Sequence, residues 1–223
     1  MKRSSDFRSH RSRQSRHRQN LDRRRVDRRR PALPSTAYRQ RGVGESGQSE
    51  AFNAPEVWYE TVGRDQIKYI CQPAGTGYVH PVTIDDVADR MAALPDRLTR
   101  GIEVVQLSRM TRKRALFPCY GMQWGSSIYL YPIEESLVEI YVRPPSPQQL
   151  IEARMYGGLW SRHEKLWQLT WAEKTIRDFY LNNVLIHEIG HINDDRNANF
   201  DDRERYANWF AIEYGFRATR GRR

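Results

Sequence analysis

The sequence predicts an α+β fold, in which a small sheet precedes a group of packed helices. Segments rich in β-branched and aromatic residues are concentrated between residues 56 and 142. The last third of the chain instead has apolar residues spaced three or four positions apart, which is the helical period. A run of strands followed by a run of helices is typical of α+β domains and differs from the alternating order of α/β folds.

The 223 residues divide into two regions by charge. Residues 1–50 contain 15 Lys and Arg but only 5 Asp and Glu, whereas residues 51–223 contain 22 of each, so the formal charge of +10 lies in the first region. The first region has few large apolar side chains and cannot bury enough surface to offset the entropy of ordering it. We therefore predict a disordered Arg-rich arm and linker over residues 1–50 and one domain over residues 51–223.

The composition also excludes several classes of protein. No run of 18 apolar residues is present, which excludes a membrane-spanning helix, and the N-terminus lacks the apolar stretch of a secretory signal. Cys71 and Cys119 are the only cysteines and form no CxxC pair, which excludes a disulfide scaffold and a Cys-ligated zinc site. We expect a cytoplasmic protein without membrane contact.

Five segments have the composition of strands: residues 56–62, 66–71, 102–107, 127–131 and 137–142. Residues 63–65, Gly-Arg-Asp, separate the first two segments and are suited to a hairpin turn. These short segments predict a small mixed or antiparallel sheet.

Four helices are predicted, over residues 84–94, 147–156, 171–193 and 203–214. Thr83 is expected to cap the first of them, because Asp86 follows three residues later and completes a capping box. The third is the longest and has an apolar stripe along one face. Gly215 is expected to end the last helix as its C-cap.

An HExxH motif lies within the long helix. One helical turn separates His187 from His191, so both imidazoles project from the same face and can bind a single zinc ion. Glu188 is placed to take a proton from a water molecule at the metal. In a chain of this composition the motif is expected about 0.01 times by chance, which favours the functional interpretation over two solvated histidines.

A catalytic zinc site needs a third protein ligand, and Glu204 is the preferred candidate. In a helix, Glu204 shares a face with Ala207 and Ala211, and such small residues would let this helix come close to the HExxH helix. Trp209, Phe210 and Ile212 are then expected to point into the core; the other acidic candidates for the third ligand are Asp194, Asp195, Asp201 and Asp202. A first-turn Glu that complements the helix dipole is the competing explanation for Glu204.

HEIGH followed by ERYANWFA resembles the zincin metallopeptidases whose third zinc ligand is a glutamate, the gluzincins, and is most similar to the ImmA/IrrE-type family. The resemblance covers about residues 182–215. It implies a zinc metallopeptidase of the cell interior that cleaves a protein substrate, such as a repressor-type regulator. It also implies one zinc ion per chain bound by His187, His191 and Glu204, with Glu188 as the general base.

Several further residues have two possible interpretations. His163, Tyr206 and Tyr214 are candidates for stabilising an oxyanion, although core packing or simple solvation explains each more readily. The strand segments 127–131 and 137–142 are candidate edge strands for an extended peptide substrate, or else buried strands.

The residues that flank the motif leave a similar choice open. Asn183, Asp194 and Asp195 lie one turn away from the histidines and could orient the imidazole rings. Asn-Asp-Asp is equally typical of a helix end.

The Arg-rich arm supports a second functional hypothesis. A mobile basic segment attracts phosphate backbones with little sequence preference, and it can equally dock on an acidic protein. The alternative to a peptidase is therefore a nucleic-acid-associated binding protein with an inactive zincin domain. Glu188 favours the peptidase, because a binding module has no need of a base beside its ligands.

Overall fold

The computed structural model describes Pro55, Tyr59 and residues 66–116 and 118–220. The expected arm over residues 1–50, the domain boundary after it and the hairpin turn at 63–65 lie outside the described residues, as does the strand over 56–62 apart from Tyr59. Over the described residues the chain is mixed α+β, with small sheets and several helices, and this confirms the predicted fold class.

The described strands, in chain order, are β1 (Lys68–Cys71), β2 (Tyr78–Val79), β3 (Val104–Leu107), β4 (Gly121–Trp124), β5 (Ser127–Leu130), β6 (Ile133–Glu134), β7 (Val138–Tyr141), β8 (Leu159–His163) and β9 (Leu166–Thr170). The described α-helices are α1 (Ile84–Ala92), α2 (Asp96–Thr99), α3 (Arg112–Leu116), α4 (Pro147–Tyr156), α5 (Glu173–Phe179), α6 (Leu185–Ile192), α7 (Phe200–Phe210) and α8 (Ala218–Arg220). Two π-helical segments, Tyr180–Val184 and Ala211–Arg217, complete the described helical structure.

The largest described sheet is mixed, with strand order β1-β3-β5-β4. The strands β1, β3 and β5 are parallel, and β4 pairs antiparallel with β5. Alternation along β3 and β5 turns four apolar side chains towards the core, where they are at most 1% exposed: Val105, Leu107, Ile128 and Leu130.

Strand order decides which strands are edges, and it settles the choice for the two segments that were candidate edge strands or buried strands. The segment 127–131 was a candidate edge strand, but β5 lies between β3 and β4 and is internal. The segment 137–142 forms β7, which does end the β7-β9-β8 sheet. At the end of the larger sheet lies β4, which the sequence did not predict, because its residues GMQW lack β-branched side chains.

Local sequence signals explain where the first helix begins. Helix α1 starts after Thr83, whose hydroxyl accepts a hydrogen bond from the Asp86 backbone N–H at 3.1 Å, while the Asp86 carboxylate accepts one from the Thr83 N–H at 3.0 Å. This is the expected capping box.

The HExxH helix lies in the core of the described structure. α5, the π-helical segment Tyr180–Val184 and α6 follow one another without a break, and they confirm the helix predicted over residues 171–193. Leu185, Ile186 and Ile189 are fully buried, so α6 is enclosed on all sides.

The last helix is longer than expected. It begins at Phe200, where the Asn199 side chain accepts a hydrogen bond from the Asp202 N–H at 2.9 Å, and it continues through Ala211–Arg217 into α8. Gly215 is therefore not a C-cap, because it lies inside the π-helical segment and packs against the HExxH helix.

The expected burial of the aromatic side chains in this helix is correct only in part. Phe210 is 1% exposed, but Trp209 and Ile212 are exposed, at 46% and 36%. The difference comes from the orientation of this helix about its own axis, because the face that meets α6 is formed by Ala207, Phe210 and Ala211. Among the described helices, none is long and apolar enough to cross a membrane.

Candidate metal centre

Two neighbouring helices bring His187, His191 and Glu204 together. The Nε2 atoms of the two histidines, on α6, are 3.1 Å apart. The Glu204 carboxylate, on α7, approaches both: Oε2 lies 3.5 Å from His187 Nε2, and Oε1 lies 3.2 Å from His191 Nε2. This buried group could hold a metal ion, and two imidazoles with a carboxylate suit a first-row divalent ion.

Burial keeps bulk water away from most of this group. His187 is fully buried, His191 is 8% exposed, and the Glu204 side chain is 14% exposed. The small remaining exposure lies on the Glu204 and His191 side, so that is the side from which solvent reaches the ligand atoms.

Small residues explain how α7 comes close enough for Glu204 to reach the histidines. A Cβ atom added to Gly190 would lie 3.0 Å from Ala207 Cα and 3.0 Å from Phe210 Cβ, tighter than nearly all real contacts. Ala207 is itself fully buried. The expected role of Ala207 therefore agrees with the structure, and Gly190 supplies the other half of the contact.

The Glu188 side chain packs against the start of strand β4. This side chain is fully buried, and a Cβ atom added to Gly121 would lie 2.7 Å from Glu188 Oε1 and 2.8 Å from Val184 Cγ1. Only a glycine leaves room here for the carboxylate. Sequence reasoning missed Gly121, since a lone glycine carries no signal of what packs against it.

The other acidic candidates for the third ligand lie elsewhere. The Asp194 carboxylate accepts hydrogen bonds from the Asn197 N–H and side-chain amide at 3.2 and 2.9 Å, which orders the loop after α6. The Asp195 side chain is 90% exposed. Asp201 and Asp202 occupy the first turn of α7.

The residues expected to orient the histidines are placed as follows. Asn183 is buried within the segment Tyr180–Val184. The contacts of Asp194 and Asp195 favour the interpretation that they end the helix.

The three oxyanion candidates also have other surroundings. His163 is exposed at the end of β8. Tyr206 and Tyr214 pack against Phe210, with ring centroids 6.0 and 4.5 Å away. Partial burial raises the pKa of Tyr206, and the Arg196 guanidinium lies 5.6 Å from the centroid of its ring. These contacts favour the packing interpretation for both tyrosines.

A second carboxylate with a hydrogen-bonded environment, the half-buried Glu139, was not anticipated from the sequence. Its Oε2 accepts hydrogen bonds from the hydroxyls of Tyr120 at 2.5 Å and Tyr141 at 3.0 Å. Burial raises the pKa of Glu139 from 4.5 to about 7, and the two hydroxyls only partly oppose that shift. Next to it lies a small pocket with aromatic walls that include Trp160 and Trp171.

Comparisons of this chain with models of protein families, with curated proteins and with solved structures return no match.

Proposed function

We propose that this protein is a zinc-dependent metallopeptidase of the zincin type, and that it cleaves a protein substrate. The observation that carries the proposal is the convergence of two imidazole nitrogens and one carboxylate on a common point, next to a buried glutamate in an HExxH helix. The motif resembles that of the ImmA/IrrE-type metallopeptidases.

The separations of the ligand atoms support zinc. In a tetrahedral centre with bonds of about 2.0–2.2 Å, two ligand atoms lie about 3.3–3.6 Å apart. The three separations here are 3.1, 3.5 and 3.2 Å, so one lies within this range and the other two are shorter than it by about 0.1–0.2 Å. Three protein ligands leave a fourth position open, which is the pattern of catalytic zinc sites and not of structural ones.

The division of labour among the residues follows from their chemistry. Zinc bound in such sites acts as a Lewis acid and makes water a competent nucleophile near neutral pH. His187 and His191 would bind the metal through Nε2, and the Glu204 carboxylate would complete the set of protein ligands. Glu188 accepts the proton of the attacking water and delivers it to the departing amine. Its contact with Gly121 limits the positions that its carboxylate can take.

Strand β4 supports a peptide as the substrate. It ends the larger sheet, with no strand paired to its outer side among the described residues, and its first residue touches Glu188. An extended peptide can pair with such an edge through main-chain hydrogen bonds, which would bring its backbone alongside the HExxH helix.

A comparison of the wild-type protein with Glu188→Gln tests this function. Both proteins should contain about one zinc per chain, because Glu188 is not a ligand, whereas cleavage of a proteome-derived peptide mixture should decrease by about 10²–10⁴-fold in the variant. Asp195→Asn, which alters a 90% exposed carboxylate one turn beyond the motif, is the matched control and should keep full activity.

Two results would contradict the proposal. One is a purified protein that neither contains zinc nor binds it when zinc is added. The other is peptide cleavage that is equal in the wild-type protein and Glu188→Gln.

A further inference from the structure

Both helices that carry the ligands contain a π-helical segment. The segment Tyr180–Val184 immediately precedes α6, and the segment Ala211–Arg217 immediately follows α7. Such wide turns leave main-chain groups without their usual helical partners, and they are frequently found at functional sites. Here the two segments pack against each other.

The contact between the two segments is main chain to main chain. A Cβ atom added to Gly215 would lie only 1.8 Å from the Asn182 carbonyl oxygen, so no other residue fits at this position without a shift of the backbone. A second close contact joins the same helices at Gly190 and Ala207. Asn182 and Gly190 are eight residues apart on one helix, and Ala207 and Gly215 are eight residues apart on the other. The helices therefore meet at two points about 12 Å apart.

Arg90, from α1, bridges the two segments. Its Nε donates a hydrogen bond to Asn182 Oδ1 at 2.7 Å, and its NH2 group donates one to the Tyr214 carbonyl oxygen at 2.7 Å. One guanidinium thus binds the helix of His187 and His191 and the helix of Glu204 at the same time.

Other polar groups fix Asn182 in the position that Arg90 needs. The Tyr156 hydroxyl donates a hydrogen bond to the Asn182 carbonyl oxygen at 2.8 Å. The Asn182 side-chain amide donates one to Asp178 Oδ1 at 2.7 Å, and Asp178 Oδ2 accepts one from Arg220 at 2.7 Å. Asn182 is only 8% exposed and the bond from the Tyr156 hydroxyl is buried, whereas the outer bond between Arg220 and Asp178 lies at the surface.

We propose that Arg90 is a positioning residue of the metal centre: by joining Asn182 to the Tyr214 carbonyl, it fixes the placement of α6 relative to α7, and with it the separation of the histidines from Glu204. The inference rests on the proposed metal centre. It does not require that the centre hydrolyse peptides.

The lever arm explains why a remote contact matters to the ligands. A change of about 5° in the angle between two helices displaces a point ~12 Å away by about 1 Å. Metal–ligand distances in functional sites stay within about 0.2 Å of their ideal values. A small loosening at Arg90 is therefore enough to weaken the binding of the metal, even though no ligand is altered.

The test is the affinity of the folded protein for zinc, measured by competition with a chromophoric chelator. Arg90→Met removes both hydrogen bonds, and we expect it to weaken zinc binding by about tenfold or more, within the range for loss of outer-shell partners. Arg177, on α5 at the start of the HExxH helix, also bonds to α1, through Asp86, but on the exposed surface. Arg177→Met is therefore the matched control. It should keep wild-type affinity.

A third variant separates positioning from general loss of stability. Ile176→Val shortens a buried side chain of α5, leaves both hydrogen bonds of Arg90 intact, and should cost about 0.5–1.5 kcal/mol in the free energy of unfolding. We expect its zinc affinity to stay within twofold of wild type. If Arg90→Met binds zinc as tightly as wild type, or if Ile176→Val loses as much affinity as Arg90→Met, the inference is wrong.

Two further outcomes remain, a variant that does not fold and a wild-type protein without peptidase activity. If Arg90→Met does not fold, Arg90→Lys replaces it, because lysine keeps the charge but cannot donate to Asn182 and Tyr214 at the same time. Weaker zinc binding is again expected, and wild-type affinity would contradict the inference. The wild-type protein could also lack peptidase activity while its zinc affinity falls in the Arg90 variants. That result would reject the proposed function and support the positioning role of Arg90.

Discussion

Tyr120 and Gly121 are adjacent in the chain, and each touches a different carboxylate: Glu139 is half-buried and Glu188 is fully buried. The Tyr120 hydroxyl donates a hydrogen bond to Glu139, among aromatic side chains, whereas Gly121 packs against Glu188, between two histidines of the HExxH helix. Glu139 has a pKa raised to about 7 and lies beside a pocket. By the usual criterion of a perturbed pKa near a cavity, Glu139 would be chosen as the functional residue.

The difference between the two carboxylates shows that removal from solvent alone does not make a candidate metal centre. Around Glu139, the hydroxyls of Tyr120 and Tyr141 and the Trp171 side chain interact with the carboxylate itself. Around Glu188 the neighbouring histidines direct their Nε2 atoms at a common point that Glu204 also faces. Convergence of ligand atoms, rather than a shifted pKa, is what distinguishes a candidate reaction centre here.

The largest expected effect is a loss of zinc affinity, which should follow a substitution next to Glu188 but not one next to Glu139. His187→Ala removes a ligand beside Glu188 and should lower zinc affinity by more than about 100-fold, above the loss caused by an outer-shell change. The variant should also lose the increase in melting temperature that zinc gives the wild-type protein. Tyr120→Phe, which removes the closest partner of Glu139, should keep both properties, as metal analysis and thermal melts with and without zinc can check. Full zinc binding by His187→Ala would place the metal elsewhere.

A smaller effect is expected from Glu139, and it concerns stability as a function of pH. Because the pKa of Glu139 is higher in the folded chain, at about 7, than its ordinary value of 4.5, the folded state holds the extra proton between these values. The contribution of this group to the free energy of unfolding is therefore full below pH 4.5 and is lost as the pH rises through 7, by about 3 kcal/mol in total.

Glu139→Gln should remove this pH dependence while peptide cleavage at neutral pH persists. Denaturant unfolding of both proteins at several pH values between 4.5 and 8 measures the difference. Parallel curves for the two proteins would show that Glu139 does not titrate in this range.

The smallest of the three effects tests the contact on the Glu188 side. Gly121→Ala places a methyl group 2.7 Å from Glu188 Oε1, and displacing the carboxylate should lower peptide cleavage by about 10–100-fold while zinc content is retained. Gly101→Ala is the matched control, since its new methyl group meets only the Ile192 side chain of the same helix, at 3.1 Å. Equal activity of the two variants would mean that Gly121 has no part in placing Glu188.

Much of the fold could be predicted from local signals. The capping box at Thr83 and the apolar spacing of the HExxH helix each depend on residues within a few positions of one another, and both elements were predicted within a few residues. Strand β4 has no comparable local signal, and it becomes a strand through its pairing with β5. The end of the last helix was misplaced because a glycine there is normally a stop, whereas Gly215 serves a contact with Asn182.

The sequence by itself determined that two imidazoles share a helix face, because this geometry follows from the HExxH spacing and the helical period alone. Only the tertiary structure decided that Glu204 rather than a nearby aspartate reaches them, that β4 lies beside Glu188, and that two π-helical segments join through Arg90. These features depend on contacts between residues far apart in the chain, and such contacts are set by packing and close backbone approach, which no local pattern encodes.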